Sequence, residues 1–500
     1  MSSKCDPDHT VEFLMTFLFE VLITVLPILT ERTARFLPSI TGAGMTESDI
    51  VPASFILFFI PPISEKPKGY SMGSRNYRFE TLALHAGQAV DASLSRGVAI
   101  HRTSSYLFKN TGHAANLFAL KELGNIYTRL MNPTTDVLEQ RLSMLEGGAA
   151  SVALASGTAA VFYSIITLAE AGDEIVAASN LYGGTYTQFD AILPRFGIKV
   201  HFADAKNPAN FEGKIGAKTR ALYIETIGNP ALDVTDVKAV AEVAHRNGLP
   251  LIVDGTFTTP WLLRTIEHGA DIVVNSLTKW IGGHGTAIGG SITDAGTFDW
   301  KGGNHPLFTE PDANYHGLRW ALDLPEPLAP AAFALRLRTV PLRNLGAALA
   351  PDNSWIFLQG IESLPVRMPR HCENAMKVAA YLKTHPKVSW VRYPGLSDDP
   401  SHATAAQYLK KGFGGMVVFA IKGGFDAAVK LIDGIELFSH VANVGDAKSL
   451  ILHPASTSHS QLTEEQQRSG GLTPDLIRLS IGLEHPDDLV GALEAALELS

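Results

Sequence analysis

At 500 residues, with 46% hydrophobic and 18% charged side chains, the chain has the make-up of a globular protein with a sizeable core, not of a disordered or fibrous one. Its net charge of -9, without any block of basic residues, offers nothing to hold a phosphate backbone, which excludes nucleic acid as a partner. Its two cysteines, Cys5 and Cys372, lie far apart without CxxC or histidine-rich company, which excludes a disulfide framework and a structural zinc site and fits the cytoplasm.

Residues 1–73 read as an extension outside the main fold, either poorly ordered or an overextended gene model in which Met72 is the start. The stretch Phe13–Leu29 is apolar, but Glu20 sits in its middle, where an acid costs about 2.5–3.5 kcal/mol on insertion scales, and Pro27 interrupts its end. It barely reaches the roughly 20 residues that span a bilayer, and Ser54–Ile63 is too short. Its flank lacks the positive region of a signal peptide. A membrane is therefore not expected as a partner.

From Ser151 onward, short apolar runs alternate with helical patterns. The order is SVALAS, the helix TAAVFYSIITLAE, EIVAAS, a glycine turn and TQFDAILPRFG, then KVHFA, ALYIET, the helix VTDVKAVAEVAHRNG, PLIVDG and ADIVVNS. This repetition predicts an α/β fold with a mostly parallel sheet covered by helices, in which ligands bind at the carboxyl ends of the strands. Asp299–Gly317 reads as a long functional loop. After about Gly360 the pattern changes to a long helix (ESLPVRMPRHCENAMKVAAYLKTH), the strands VSWVRY and MVVFAI, and a last helix from Asp487. The expected layout is a large domain over 131–358 and a small C-terminal α/β domain over 359–500.

Three predicted strand ends collect polar residues whose chemical types complement one cofactor. Asp254 ends PLIVD, where a carboxylate can pair with a pyridinium nitrogen and keep the ring an electron sink; alone it reads equally well as a cap or turn aspartate. Ser276, Thr278 and Lys279 follow ADIVVN. A lysine there can form an imine while the hydroxyls reach a phosphate, although an isolated lysine is more often simply solvated. At Ser156-Gly157-Thr158 a strand turns into a helix, whose first N–H groups make an anion site or merely an ordinary cap. Tyr182, in LYGGT after the next strand, is placed to stack on a flat ring, though a core tyrosine is the commoner fate. The order of these features, with Lys279 25 residues after Asp254, points to pyridoxal 5'-phosphate more strongly than any one of them.

On these residues, and on FETLALHAGQ, GNIYTRLMNPT, LEGGAA, SGTAA, LYGGT, ETIGNP, VDGTF, SLTKWIGGHG, NVGDAKSLILHPAS and DLIRLSIGLE, the chain from about Phe79 to its end resembles the Cys/Met-metabolism family of pyridoxal-phosphate enzymes. Within that family it is most similar to the O-acetylhomoserine sulfhydrylase branch, because of the TEPDANYHG loop and the phrase ANLFALKELGNIYTRLMNPT. The resemblance implies an aspartate-aminotransferase-like (fold type I) transferase. It also implies that residues 74–130 form an arm contacting a neighbouring subunit. Lys279 would carry the cofactor as a Schiff base and shuttle protons, Asp254 would hold the pyridinium, and Tyr182 would stack on the ring and assist departure of the leaving group. Gly157, Thr158, Ser276 and Thr278 would hold the phosphate. Tyr127 and Arg129 would reach it from the neighbouring subunit, so the implied assembly is at least a dimer, with a homotetramer as the family habit. Arg478 would clamp the carboxylate of a small amino-acid substrate, with Asn229 and Ser456 nearby. No metal is implied.

The reaction implied is γ-replacement on O-acetyl-L-homoserine, in which acetate leaves a vinylglycine-type intermediate and sulfide or a thiol adds to give L-homocysteine. Two departures from the family pattern leave the nucleophile open: Val98-Ala-Ile-His-Arg-Thr-Ser-Ser stands where a Pro-Ile-Tyr type of segment is usual, and Gly255 follows Asp254 where asparagine is common. The alternative is a carbon or nitrogen nucleophile in specialised metabolism. A γ-lyase or cystathionine γ-synthase is a weaker reading, since the methionine γ-lyase pattern has cysteine where this chain has Gly184. Gly282-Gly-His-Gly-Thr-Ala-Ile-Gly-Gly does not have the GxGxxG spacing of a dinucleotide site.

Overall fold

A computed structural model describes residues 76–500 except 91–92, 120, 123, 303, 459, 461–462, 464 and 466–471. The extension read over residues 1–73, with its two apolar stretches, therefore lies outside the described residues, apart from which no described helix is long and apolar enough to cross a membrane.

The predicted βα alternation builds one sheet of seven strands: β1 (Ala150–Leu154), β2 (Glu174–Ala178), β3 (Lys199–Ala203), β4 (Thr219–Glu225), β5 (Leu251–Asp254), β6 (Ile272–Ser276) and β7 (Gly290–Asp294). Their order in space is β1-β7-β6-β5-β4-β2-β3. Neighbours from β6 through β5, β4 and β2 to β3 pair in parallel. Every residue of β4 is buried, as a central strand with both faces covered requires.

Within this sheet the strand β7, Gly-Ser-Ile-Thr-Asp, is the one that the search for apolar runs passes over. It wedges between β1 and β6 and runs antiparallel to both. Its polar side chains are buried, and Ser151 and Thr293 satisfy each other across the β1–β7 pair at 2.8 Å. Close packing explains the glycine: a Cβ on Gly290 would lie 2.2 Å from the carbonyl oxygen of Ser156.

Helices cover the sheet. Among them are α1 (Pro133–Glu146), capped by Asn132, α2 (Gly157–Ile166), capped by Ser156, α3 (Gly183–Thr187) and α4 (Val237–Arg246), capped by Asp236. The long helix α5 spans Pro351–Thr384, so it begins well before Glu362 and passes unbroken through 358–359, where the sequence places a domain boundary. Pro351 fits its first turn, but Pro365 and Pro369 lie inside it. An internal proline disfavours a helix by about 3 kcal/mol. Burial outweighs that penalty here, because Phe357, Leu358, Ile361, Leu364 and Met368 pack into the core of the large sheet and Ala375, Val378, Ala379 and Leu382 into the second core.

That second core surrounds a five-stranded sheet ordered β10-β11-β12-β9-β8: β8 (Val388–Arg392), β9 (Met416–Ile421), β10 (Ser439–His440), β11 (Leu450–Leu452) and β12 (Leu476–Ser480). The last helix, α6 (Pro486–Leu499), lies over it, burying Leu489, Leu493, Ala496 and Leu497. Residues 299–317 contain short helical turns at Pro306–Thr309 and Ala313–Tyr315, and Trp300 and Phe308 stack with ring centroids 4.2 Å apart.

Candidate active site

The carboxyl ends of β1, β4, β5 and β6 open on a cavity of about 430 Å³, lined also by the loop before β11 and by β12. Gly157, Thr158, Tyr182, Asn229, Asp254, Ser276, Thr278, Lys279 and Arg478 all line it. None of the described residues of the 299–317 loop does; its aromatic rings are used in packing.

Lys279 stands on the turn after β6 and donates from Nζ to Oδ1 of Asn443 at 2.6 Å. Burial, followed by the charge of Arg478, pushes its ammonium down to about 8. A neutral amide accepts a hydrogen bond from the ammonium without offsetting that shift as a carboxylate would. The loop bearing Asn443 reaches the lysine turn because Gly445, at φ +78°, lacks a side chain: a Cβ there would lie 2.5 Å from the backbone nitrogen of Trp280. Arg478, on β12, is buried and donates to Oδ1 of Asn229 at 3.2 Å, and burial lowers its guanidinium to about 10. Two desolvated cations thus face one cavity.

Asp254 ends β5. Its Oδ1 accepts the backbone N–H of Thr256 at 2.9 Å and its Oδ2 the hydroxyl of Tyr223 at 3.4 Å, while burial raises the carboxyl above the usual range. Thr256 also accepts the backbone N–H of Ser276 at 2.8 Å, which ties β5 to the lysine turn. Next to Asp254 in the sheet register is Glu225, whose Oε1 accepts the backbone N–H of Tyr182 at 2.7 Å. No cation among the described residues acts on either acid.

At the start of α2, Ser156 caps Ala159 at 3.0 Å. A Cβ on Gly157 would lie 2.6 Å from Cβ of Ser276, so only glycine lets the helix start seat against that serine. The hydroxyl of Thr278 donates to the carbonyl of Gly289 at 3.2 Å. Tyr182 is 46% exposed, with its ring lying over Gly184, where a Cβ would meet the ring at 2.5 Å. A cysteine at that position would displace the ring.

These groups fit pyridoxal phosphate. Among the described residues Asp254 is a buried carboxylate lacking the cation that a pyridinium supplies, the N-terminal end of α2 with Ser276 can take a phosphate, and Lys279 is an amine of lowered basicity that donates to a neutral acceptor.

Of the residues expected at this chain's own cavity, Ser456 does not line it, and neither do Tyr127 and Arg129, which were expected to reach a neighbouring subunit's cavity. Tyr127 and Arg129 form an exposed pair, the guanidinium 5.1 Å over the tyrosine ring, on a loop bridged to Ser105. Ser456 pairs with Nδ1 of His453 at 2.8 Å, and Ser458, two residues on, lines the cavity instead. Asn443, Glu225 and Thr256 were passed over, although all three stand within motifs already singled out, NVGDAKSLILHPAS, ETIGNP and VDGTF. The available signal was that Glu225 and Thr256 flank a strand end as Asp254 does; nothing local marks Asn443.

Residues 80–498 match the family model described as Cys/Met metabolism PLP-dependent enzyme. The chain is 54% identical over 438 residues to an O-acetyl-L-homoserine sulfhydrylase of Leptospira meyeri, covering 86% of this chain and 99% of the relative. It is 49% identical over 426 residues to a homocysteine synthase of Schizosaccharomyces pombe, covering 84% and 98%. A crystal structure from Campylobacter jejuni, of a protein named as an O-acetylhomoserine (thiol)-lyase and carrying N'-pyridoxyl-lysine-5'-monophosphate, superposes with a TM-score of 0.82 at 42% identity, over 84% of this chain and all of that one. With the cavity, the pyridoxal-phosphate donor set and this similarity along most of its length, the chain belongs to the Cys/Met metabolism PLP-dependent enzyme family.

Proposed function

We propose that the protein replaces the acetate of O-acetyl-L-homoserine with sulfide, giving L-homocysteine. The observation that carries this reading is the convergence of Lys279 and Arg478, both desolvated, on one cavity beside Asp254. That arrangement suits an α-amino acid. The choice of amino acid is supported by the relatives from Leptospira meyeri and Schizosaccharomyces pombe and by the names they carry.

Arg478 offers two N–H groups to the substrate carboxylate, with Asn229 fixing its guanidinium. Asp254 keeps a ring nitrogen protonated, and Gly157, Thr158, Ser276 and Thr278 receive the phosphate. Bound pyridoxal phosphate supplies an electron sink for the substrate's α-carbon. Lys279, whose amine is substantially neutral near pH 8, takes the α-proton on Nζ, and Asn443 keeps that nitrogen at the cavity wall between transfers. Tyr182 covers the ring and the departing group. The bond from Cγ to the ester oxygen breaks with its electron pair going to acetate, and hydrosulfide forms the new Cγ–S bond, so no net proton is gained or lost.

Tyr127 and Arg129 belong to the same reading as groups lent to a second copy's cavity, supported by their exposure and their absence from the lining of their own. The assembly proposed is a homodimer of sites, paired into a tetramer, in the cytoplasm.

The test is acetate release from O-acetylhomoserine by the purified protein with pyridoxal phosphate, with sulfide, methanethiol, or carbon and amine nucleophiles supplied in turn. Turnover fastest with sulfide, with homocysteine as product, is the expected result. Fast acetate release that needs a carbon or amine nucleophile and yields no homocysteine would overturn it.

A further inference from the structure

Tyr182 presents a puzzle of support. The residue is 46% exposed and stands at the cavity, so core packing does not hold it, and it sits where the chain leaves β2 and enters α3. Its carbonyl accepts the N–H of Tyr186 within α3 at 2.9 Å, and its own N–H is taken by the Glu225 side chain at 2.7 Å. Farther along, α3 runs into a π-helical turn at Gln188–Ile192, where Nε2 of Gln188 donates to the carbonyl of Thr158 at 3.3 Å. The segment is thereby tethered to the sheet at one end and to the anion-site helix at the other.

Glu225 is the less expected half of the first tether. It is 6% exposed, sits next to Asp254 in the register of β4 and β5, and has no cation acting on it among the described residues. Two neighbouring acids at adjacent strand ends are unfavourable unless one has a task. The Glu225 backbone is itself anchored, its carbonyl accepting the hydroxyl of Thr235 at 2.7 Å. We propose that Glu225 is the positioning residue for Tyr182: from the rigid end of β4 its Oε1 holds the Tyr182 backbone N–H, and this sets where the ring stands over the cavity. The proposal rests on the reading of Tyr182 as the residue that covers the cofactor ring.

Burial and the neighbouring Asp254 hold the Glu225 carboxyl well above the usual carboxylate range. A protonated acid still accepts through its carbonyl oxygen, so the role calls for an acceptor and not for a charge. Glutamine provides one. Methionine fills the same space without one.

The experiment compares Glu225→Gln and Glu225→Met, each in the native and in the Tyr182→Ala background. It reads kcat and KM for acetate release and the visible circular dichroism of bound pyridoxal phosphate. A misplacement of about 1 Å at a reacting centre reduces rate by about 100-fold, so Glu225→Met should lower kcat by about 10- to 100-fold with KM little changed. In the Tyr182→Ala background it should lower kcat by no more than about twofold, since groups acting through one another are not additive. Glu225→Gln should stay within about threefold of native, and only Glu225→Met should move the dichroic band toward that of Tyr182→Ala. Equal losses from Glu225→Met in both backgrounds, a Gln variant as impaired as Met, or an unmoved band in the Met variant would each overturn the proposal. If the native protein releases no acetate from O-acetylhomoserine, the proposed reaction fails, while the dichroic band still decides the role of Glu225.

Discussion

Lys279 illustrates how much a single contact decides. Its amine is desolvated and donates to the amide oxygen of Asn443, and no anion among the described residues offsets the shift that brings it to about 8. The reactive form of a lysine is the neutral amine, and a lowered value means that this form accumulates earlier as pH rises. In cofactor-stripped protein, capture of added pyridoxal phosphate, followed by the growth of visible absorbance, should therefore climb through about pH 8 and level off, whereas an unshifted lysine would keep climbing toward 10.5. Asn443→Asp should move the midpoint upward by placing a negative charge at the same oxygen position. An unchanged midpoint in that variant would show that the contact does not govern the amine. The same reasoning explains why Asp254 alone was ambiguous in the sequence: an aspartate at a strand end is ordinary, and only its burial without a cation marks it as a site for one.

At the scale of elements, α5 presses on the lysine turn. Gly360 lies where the helix meets that turn, and a Cβ there would fall 2.5 Å from the carbonyl oxygen of Gly282 and 2.6 Å from that of Ile281. The buried Arg367, two turns on, donates to the carbonyls of Trp280 at 2.9 Å and Gly360 at 2.8 Å, so helix and turn are joined by hydrogen bonds as well as by shape. Gly360→Ala should destabilise the protein by about 1–3 kcal/mol, as overpacking usually does, and should weaken cofactor retention because the displaced turn carries Lys279. Gly491→Ala serves as the control: it lies on the exposed side of α6, and nothing comes within 4 Å of its added carbon. It should be neutral or stabilising by up to about 1 kcal/mol. Thermal melting and the absorbance of bound cofactor read both variants.

For the whole molecule, the exposed pair Tyr127 and Arg129 raises the question of who completes whose site. If these residues serve the neighbouring copy, the lysine and the arginine of one active site come from different chains. Lys279→Ala and Arg129→Ala chains, each strongly impaired alone, should then regain activity when co-expressed and purified as mixed oligomers, because a mixed dimer contains one site with both native groups. Acetate release no higher in the mixture than in the separate variants would place Tyr127 and Arg129 outside the site. Leu107 and Phe108, earlier in the same stretch of chain, are 99% and 40% accessible in the single chain, apolar surface that a second copy would cover under the same proposal.

Much of this molecule was legible in its sequence because the relevant information is local. Alternating strands and helices declare themselves by periodicity, and residues at or just past the carboxyl ends of strands that run in one direction, such as Asp254, Lys279 and the Ser156-Gly157-Thr158 turn, are delivered to the same edge of the sheet whatever the loops do. That sufficed to assign the fold class and the cofactor. The strand β7 escaped because its glycine and hydroxyl side chains carry no apolar signal, and its place between β1 and β6 is a matter of long-range pairing. The first part of α5, Pro351–Ile361, escaped because Gly360 argues locally for a break, which the packing of Phe357, Leu358 and Ile361 into the core overrides. Only the tertiary structure decided that Asn443, 164 residues downstream, would be the partner of Lys279, that Glu225 would hold Tyr182, and that Ser458 rather than Ser456 would line the cavity. Local spacing determines which chemistry a strand end can offer, and the docking of distant loops onto that edge determines what each group meets.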